Sequence, residues 1–580
     1  MDKSFIRLVW TRVRIPPAPF IYFFFIKILH KMSKIEFFIY SVFSGILLGF
    51  GWPTDGFPIY LFIAFIPLLY IENYLNHSLF SILLFSFITF FTWNAISTWW
   101  LFYAKRPNGT FAIEAYLVPV LLNASFMSII FSFYSWIKKH IKNKRIGYIF
   151  LVCLWISFEK MHLEWELSWP WLNLGNGFAN RTEWIQWYEY TGILGGSIWI
   201  WIVNIGFTES IFKYKNDKNI FFLYKRIFFN IGIIFFMIFI SNLIYIKYRR
   251  NHNERTANVL ILQPNIDPYN QKYYTSTDKL ISKLKKLIDK KISEEPMIII
   301  APETMFPGKG NKIQIKDINK NKIISAFKDY LRNKSPNTVF ITGIELFTLY
   351  RKNQSKTSIP IFTKDKKNMQ WIDIFNSVIQ IGTHENVEFH HKSKLVPAVE
   401  TFPYRKIFSP ILGNILLNFG GTIMELGKEN YPSVFKHPYL GIKIAPIICY
   451  ESVFGEYVSN FFRKKNAELM VVVTNDGWWG TSQGHKQHMC YARIRAIENR
   501  KCVARSANTG ISCFINEKGE IISSIPYGKE GILYDKIYLN KKKTFYIKYG
   551  DFFSRISLLT TIIILLYAIT YNKIINIKFE

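Results

Sequence analysis

The sequence predicts a multi-pass bundle of about eight membrane-spanning α-helices carrying one large α/β domain, and three observations lead there. Half of the 580 residues are hydrophobic and 18% are aromatic, with the aromatics concentrated in residues 1–250 and in one stretch near the C-terminus. Apolar runs of about 20 residues, enough to cross a hydrocarbon core of about 30 Å, recur through that first part. Between residues 248 and 553 the pattern changes to short β-branched runs separated by polar, Lys-rich stretches, as strands and helices of a water-soluble domain would give.

Residues 1–34 carry scattered Lys and Arg around Pro16-Pro17-Ala18-Pro19. No small-residue cleavage site follows a short apolar core, so no removable signal peptide is expected. Phe20–Leu29 is too short to span and is interrupted by Lys27. The transmembrane domain is predicted over 35–247, with spans at 35–52, 58–75, 79–103, 112–137, 146–159, 190–212 and 227–247. An eighth span is predicted at 554–573, leaving a tail at 574–580. The fifth is the shortest and ends at Glu159-Lys160.

Basic loops set the orientation. Lys138, Lys139, Lys142, Lys144 and Arg145 follow the fourth span, and Lys213, Lys215, Lys218, Lys225 and Arg226 follow the sixth. The loop at 53–57 has no Lys or Arg, and that at 104–111 has only Lys105 and Arg106. With the basic loops in the cytoplasm, both termini are cytoplasmic and residues 248–553 emerge on the periplasmic side of the inner membrane. That insert is long enough to bury its own core. Its strands are expected at Val259–Leu262, Met297–Ala301, Thr338–Thr342, Ile442–Ile448 and Leu469–Thr474, with a helix over Lys279–Lys291.

The net charge of +32 does not indicate nucleic acid, because no basic helix or RNA-binding motif accompanies it. Cys153, Cys449, Cys490, Cys502 and Cys513 form no CxxC pair and no zinc-ligand spacing, so neither a disulfide framework nor a metal site is expected. No P-loop or GxGxxG suggests a nucleotide cofactor.

Three residues end apolar strands in places where chemistry is feasible. Glu303 follows Ile298-Ile299-Ile300-Ala301-Pro302, where partial desolvation suits a general base. Lys392 precedes Leu395-Val396 and Glu400. Cys449 follows Pro446-Ile447-Ile448 and enters a turn beside Tyr450 and Glu451, as a nucleophile on a sharp bend would. Singly, a loop glutamate, a surface lysine and a buried structural cysteine explain them as well or better.

Taken together, the order Glu, Lys, Cys resembles the nitrilase superfamily of carbon–nitrogen hydrolases. Thr474-Asn475-Asp476-Gly477-Trp478-Trp479-Gly480, His485 to His488, Ala492 to Glu498 and Arg505 to Ile511 resemble the family's run from the strand after the nucleophile into a packing helix. Membrane spans on both sides narrow the resemblance to the apolipoprotein N-acyltransferase family. Gly51-Trp52-Pro53 with Phe57-Pro58, and Trp169-Pro170-Trp171-Leu172-Asn173-Leu174-Gly175, resemble that family's membrane loops. Two departures concern the pocket lining: Ala398-Val399 replaces a frequent Phe-Gly pair, and Thr304-Met305-Phe306 replaces small residues.

The resemblance implies an α-β-β-α sandwich for the insert and a fatty acyl chain carried on Cys449 as a thioester. The donor would be a membrane phospholipid, and the acceptor the N-terminal α-amine of a diacylglyceryl apolipoprotein. It implies Glu303 as base, Lys392 with the Tyr450 N–H as oxyanion donors, and Glu400 and Glu451 as orienting carboxylates. Cys490, Cys502 and Cys513 are assigned to packing. A membrane-tethered amidase and a non-catalytic scaffold of the lipoprotein pathway are the alternatives.

Overall fold

The computed structural model describes residues 33–75, 78–106, 109–141, 143–248, 255–352, 355, 357–362, 369–383, 386–407 and 425–579. The proline patch, Phe20–Leu29, Lys142 and Glu580 fall outside these residues.

The first part is helical. Helix α1 (Lys34–Phe50) begins at a capping box, in which the Ser33 hydroxyl accepts from the Glu36 N–H and the Glu36 carboxylate accepts from the Ser33 N–H. There follow α2 (Ile66–Tyr74), α3 (Leu79–Ser97), α4 (Glu114–Lys138), α5 (Lys144–Glu164), α6 (Tyr188–Asp217) and α7 (Ile220–Lys247). Among the described residues, six helices are long and apolar enough to cross a membrane: α3 to α7 and a C-terminal helix from Phe552.

Two expected segments differ. The span expected at 58–75 is a 3-10 turn, Pro58–Phe62, joined to the nine-residue α2. Pro58 and Pro67 start these two pieces, each at a position where proline's missing N–H costs no helical bond. The segment expected at 146–159 is a full 21-residue helix. Glu159 does not end it, because its buried carboxylate accepts from Trp155 Nε1, the Leu174 N–H and the Ser197 hydroxyl.

The two ends of the bundle differ in chemistry. At one end lie the basic loops, with Lys138 paired to Glu72 and Lys144 to Glu209, each at 2.7 Å. The other end holds the α/β domain. There Gln487 accepts from Trp100 Nε1 and donates to Ser97 O, Lys160 pairs with Glu456, and Arg500 pairs with Glu189. The broken segment runs between them, from Phe57 against Trp184 to Glu72 against Lys138.

Two sheets face each other in the α/β domain. The first has the order β14-β1-β2-β4-β6-β5, with β3 on β4 and β7 on β6. Its strands are β1 (Thr256–Gln263), β2 (Met297–Ile300), β3 (Ile313–Gln314), β4 (Val339–Tyr350), β5 (Ile359–Phe362), β6 (Met369–Ile381), β7 (Glu388–His391) and β14 (Gly531–Tyr538). The second, ordered β13-β12-β11-β10-β9-β8, has β8 (Phe435–Lys436), β9 (Lys443–Ile448), β10 (Leu469–Thr474), β11 (Val503–Ala507), β12 (Ser512–Ile515) and β13 (Ile521–Ile525). β1, β2 and β4 run parallel, as do β9, β10 and β11. Buried on both faces, β2, β9 and β10 read as continuous apolar runs without alternation.

Val259, Ile261, Ile298 and Ile300 meet Ile444, Ile448, Val471 and Val473 between the sheets. Helices α8 (Thr277–Ile288) and α9 (Lys322–Lys334) cover the outside of the first sheet. Helices α10 (Gly455–Lys465) and α11 (Gly484–Asn499) cover the second, and their core is continuous with that of the membrane helices. This is the expected α-β-β-α sandwich. The chain returns through α12 (Phe545–Tyr549) to α13 (Phe552–Phe579). Tyr546 fills the kink of α6 at Gly192, where φ is +60° and a Cβ would lie 2.4 Å from the ring.

Candidate active site

The carboxyl ends of strands from both sheets bring the three sequence-predicted residues together. Glu303 leaves the end of β2, Lys392 follows β7, and Cys449 follows β9. Lys392 Nζ donates to Glu303 Oε1 at 3.1 Å and to Glu400 Oε1 at 2.9 Å. Asn376, in the middle of β6, donates from one amide nitrogen to the same two carboxylates at 2.8 and 3.1 Å. Its carbonyl accepts the Lys392 N–H, and the Asn475 N–H closes the cage on Glu303 Oε2 at 3.1 Å.

Burial raises the proton affinity of Glu303, but Lys392 and then Lys272 outweigh it and hold the carboxyl below its usual range. Burial disfavours the Lys392 ammonium, yet Glu303 and Glu400 hold its pKa well above the ordinary value. The Cys449 thiol is pushed up by burial and then by the Glu303 charge, with Lys392 opposing. These shifts favour a carboxylate on Glu303, an ammonium on Lys392 and a neutral thiol on Cys449.

Cys449 has φ +46°, in the left-handed region that a side chain with a Cβ enters at a cost. Neighbours hold that turn. Glu451 is fully buried and accepts from the Ile448 N–H at 2.8 Å, the Ser393 N–H at 2.6 Å and the Tyr457 hydroxyl at 2.8 Å. It thus joins the turn of Cys449 to the loop of Lys392. Behind it, burial disfavours the charged form of His390, but Glu451 and Glu429 outweigh this and raise its pKa to about 9. The Ser452 hydroxyl donates to Cys449 O at 2.7 Å. Tyr450 points away toward the membrane part, its hydroxyl donating to Ser168 O at 3.0 Å and its ring beside Trp171.

A second ionic group lies on the other side of Cys449. Asp476 accepts from His488 Nδ1 at 2.8 Å, Arg505 Nη2 at 2.6 Å and the Thr474 hydroxyl at 2.8 Å. Burial raises its proton affinity, but Arg505 and His488 outweigh it and keep the carboxyl far below its usual range. His488 Nε2 lies 2.9 Å from the Ser452 hydroxyl and 3.1 Å from Cys449 O. Ligand atoms of Cys449, Asp476 and His488 lie within 4.8 Å of one another. Both imidazole nitrogens and both Asp476 oxygens already have partners, so a metal would have to displace Arg505 and Ser452.

The sequence-predicted Glu303, Lys392, Glu400, Cys449, Tyr450 and Glu451 thus share one site. Sequence reasoning did not single out Lys272, Asn376 or His390, and it placed Asn475, Asp476, His488 and Arg505 in the blocks that carry the resemblance without giving them a role. Asp476 carried a usable signal, since it follows an apolar strand as Glu303 does. Asn376 carried none, lying within a strand whose partners are remote in sequence.

Residues 259–544 match the family model for carbon-nitrogen hydrolase, and residues 44–206 match that for the apolipoprotein N-acyltransferase N-terminal domain. The chain is 26% identical to an apolipoprotein N-acyltransferase of Chlorobaculum tepidum, over 90% of this chain and 94% of that protein. It is 26% identical to apolipoprotein N-acyltransferase 1 of Treponema denticola, over 94% and 99%. The corresponding protein of Thermotoga maritima is 25% identical over 90% and 92%.

Proposed function

This chain belongs to the apolipoprotein N-acyltransferase family, and from that premise we propose that it moves a fatty acyl chain from a phospholipid, through Cys449, to the N-terminal amine of an apolipoprotein. The carrying observation is the cage that holds Glu303 and Lys392 3.1 Å apart at the turn of a half-buried cysteine.

In the first half-reaction the Cys449 sulfur attacks the ester carbonyl as Glu303 takes the thiol proton. The Lys392 ammonium and the Tyr450 N–H stabilise the oxyanion, a contribution of about 3–4 kcal/mol for one preorganised donor. Collapse breaks the ester C–O bond, Glu303 returns the proton to the departing lysophospholipid alcohol, and the acyl chain remains as a thioester. In the second, the acceptor's α-amine attacks the thioester, Glu303 takes the amine proton, and the C–S bond breaks. Cys449 is reprotonated and an amide is released.

Location fits lipid substrates. The nucleophile's turn packs against a loop of the membrane part, with Trp171 beside Tyr450 and His488. Among the described residues, the basic loops after α4 and α6 lie at the opposite end of the bundle, which under the positive-inside rule supports a periplasmic domain at the inner membrane.

The test is intact-mass analysis of protein incubated with phospholipid. We expect a fatty acyl adduct on Cys449, absent in Cys449→Ala, that discharges as an amide when a lipopeptide amine is added. Release of free acid at the same rate without the amine would support the amidase reading instead.

A further inference from the structure

Lys392 does not balance the charges around it. Its ammonium bonds two carboxylates, Glu303 at 3.1 Å and Glu400 at 2.9 Å. With the thiol neutral, this buried group holds one negative charge in excess, and the excess persists when the thiol proton moves to Glu303. An unbalanced charge out of water is costly. A second lysine reaches the same place from another element. Lys272 lies in the turn after β1 and is 5% exposed. Its Nζ donates to the hydroxyl of Thr304, the residue after the base, which sits at φ +45°. The rings of Tyr273 and Trp478 lie 5.3 and 5.5 Å from Nζ. Among the described residues, no carboxylate pairs with it directly.

We propose that Lys272 is a positioning residue of the acyl-transfer site, whose ammonium supplies the missing countercharge to Glu303 and whose bond to Thr304 fixes the backbone that carries the base. This rests on the acyl-transfer reading of the same site. Lys392 and Lys272 act on Glu303, and Glu400 reaches it through Asn376. Lys272 in turn faces Glu303, Glu345, Cys449 and Lys392. Lys312 is engaged by Glu345 at 2.9 Å, and Arg505, beyond Cys449, by Asp476 at 2.6 Å, so neither of these cations supplies the balance. Burial lowers the proton affinity of Lys272, and the Glu303 charge is the first to oppose it. Reciprocally, Lys272 is the second cation holding Glu303 below the usual range.

The sign follows. Removing the charge raises the proton affinity of Glu303, so the acid limb of Cys449 acylation moves to higher pH. The experiment is single-turnover acylation of the full chain by phosphatidylethanolamine in detergent micelles across pH, read by intact mass, with a thermal midpoint for each variant. Lys272→Met is expected to move the acid limb up by about one pH unit, about tenfold in rate at a fixed pH on that limb. Thr304→Val breaks the bond and keeps the charge, so its limb should stay in place while its rate falls. A folded Lys272→Met with the wild-type limb, however slow, would mean a structural role and overturn the proposal. If Lys272→Met does not fold, Lys272→Arg decides: with the charge kept its limb should not move, and a full-unit shift overturns the proposal. Wild-type protein that takes no acyl group at any pH overturns the acyl-transfer reading and this inference together.

Discussion

The two helical layers of the sandwich do the same architectural job with opposite chemistry. Helix α8 buries Leu280, Ile281, Leu284, Leu287 and Ile288 against its sheet and turns its lysines to water. Helix α11 is no more apolar, with His485, Gln487, His488, Arg495, Glu498 and Asn499 in sixteen residues, yet all but Lys486 and Arg493 are buried. One face meets the second sheet, the other meets α6 and the loops of the membrane part. Several of its polar groups find partners: Arg495 with Glu498 at 3.0 Å and Val453 O at 3.0 Å, Gln487 with Trp100 and Ser97, Asn499 with Ser459. A layer facing water is specified by its apolar stripe. One docked on another domain is specified by which polar groups find partners.

The largest expected effect tests that contrast directly. Burial raises the Glu498 pKa to about 8 against the Arg495 charge, so above that pH Arg495→Ala strands a buried carboxylate, and breaking a buried pair this way costs about 3–5 kcal/mol. The thermal midpoint of the detergent-solubilised protein should fall steeply. A change within error would mean that water reaches α11 and that the layers do not differ as described.

Next comes pH, acting where α10 meets the site. His390 has its pKa raised from 6.5 to about 9 by Glu451 and Glu429 in spite of burial. A raised folded-state value means that stability is fully present below about pH 6.5 and is lost as pH climbs through about 9. The amplitude is about 3 kcal/mol at 1.36 kcal/mol per unit. His390→Gln should flatten the fall in thermal midpoint over that window. An undiminished fall in the variant would assign the pH dependence to another group.

The same contrast explains what could be read beforehand. Glu303 and Cys449 stand out in the sequence because each follows an apolar run, and Lys392 because it shortly precedes one, positions where a charged or nucleophilic side chain is conspicuous. The sandwich was legible because β2, β9 and β10 are buried on both faces and read as unbroken Ile and Val. The polar support was not. Asn376 meets Glu303 across 73 residues, and Gln487 meets Trp100 across 387. No local pattern marks such pairs. The end of α5 was misjudged for the same reason: Glu159 looks like a helix terminator until Ser197 and Leu174 are seen to satisfy it. Proline at 58 and 67 was the available sign that the second span is broken.

A smaller effect is expected where α11 docks on the membrane part. Gln487→Leu keeps the volume but strands the Trp100 indole N–H, 3.2 Å from the Gln487 carbonyl oxygen. A buried donor without a partner costs about 1–3 kcal/mol. Trp100 also packs edge-on against Trp171 and Trp479, so the mutation loosens the wall beside the turn of Cys449. Acylation of Cys449 should slow alongside the drop in thermal midpoint. Full activity with lowered stability would separate docking from chemistry.

The smallest effect belongs to the water-facing layer and is the control that gives the others meaning. On α8, Lys283 pairs with Glu530 at 2.9 Å, with 35% and 46% of the two side chains exposed. Both ends are solvated in either state, and ordering two long side chains cancels much of the Coulomb gain. Such pairs contribute about 0–1 kcal/mol. Lys283→Ala should therefore leave the thermal midpoint nearly unchanged, and raising the salt concentration should erase the small difference that remains. The comparison with Arg495→Ala keeps a helical cation and an alanine substitution and sets an exposed pair against a fully buried one. If Lys283→Ala destabilised the protein as much as Arg495→Ala, both layers would be held by their ion pairs, and the apolar stripe of α8 would not be what secures it to the sheet.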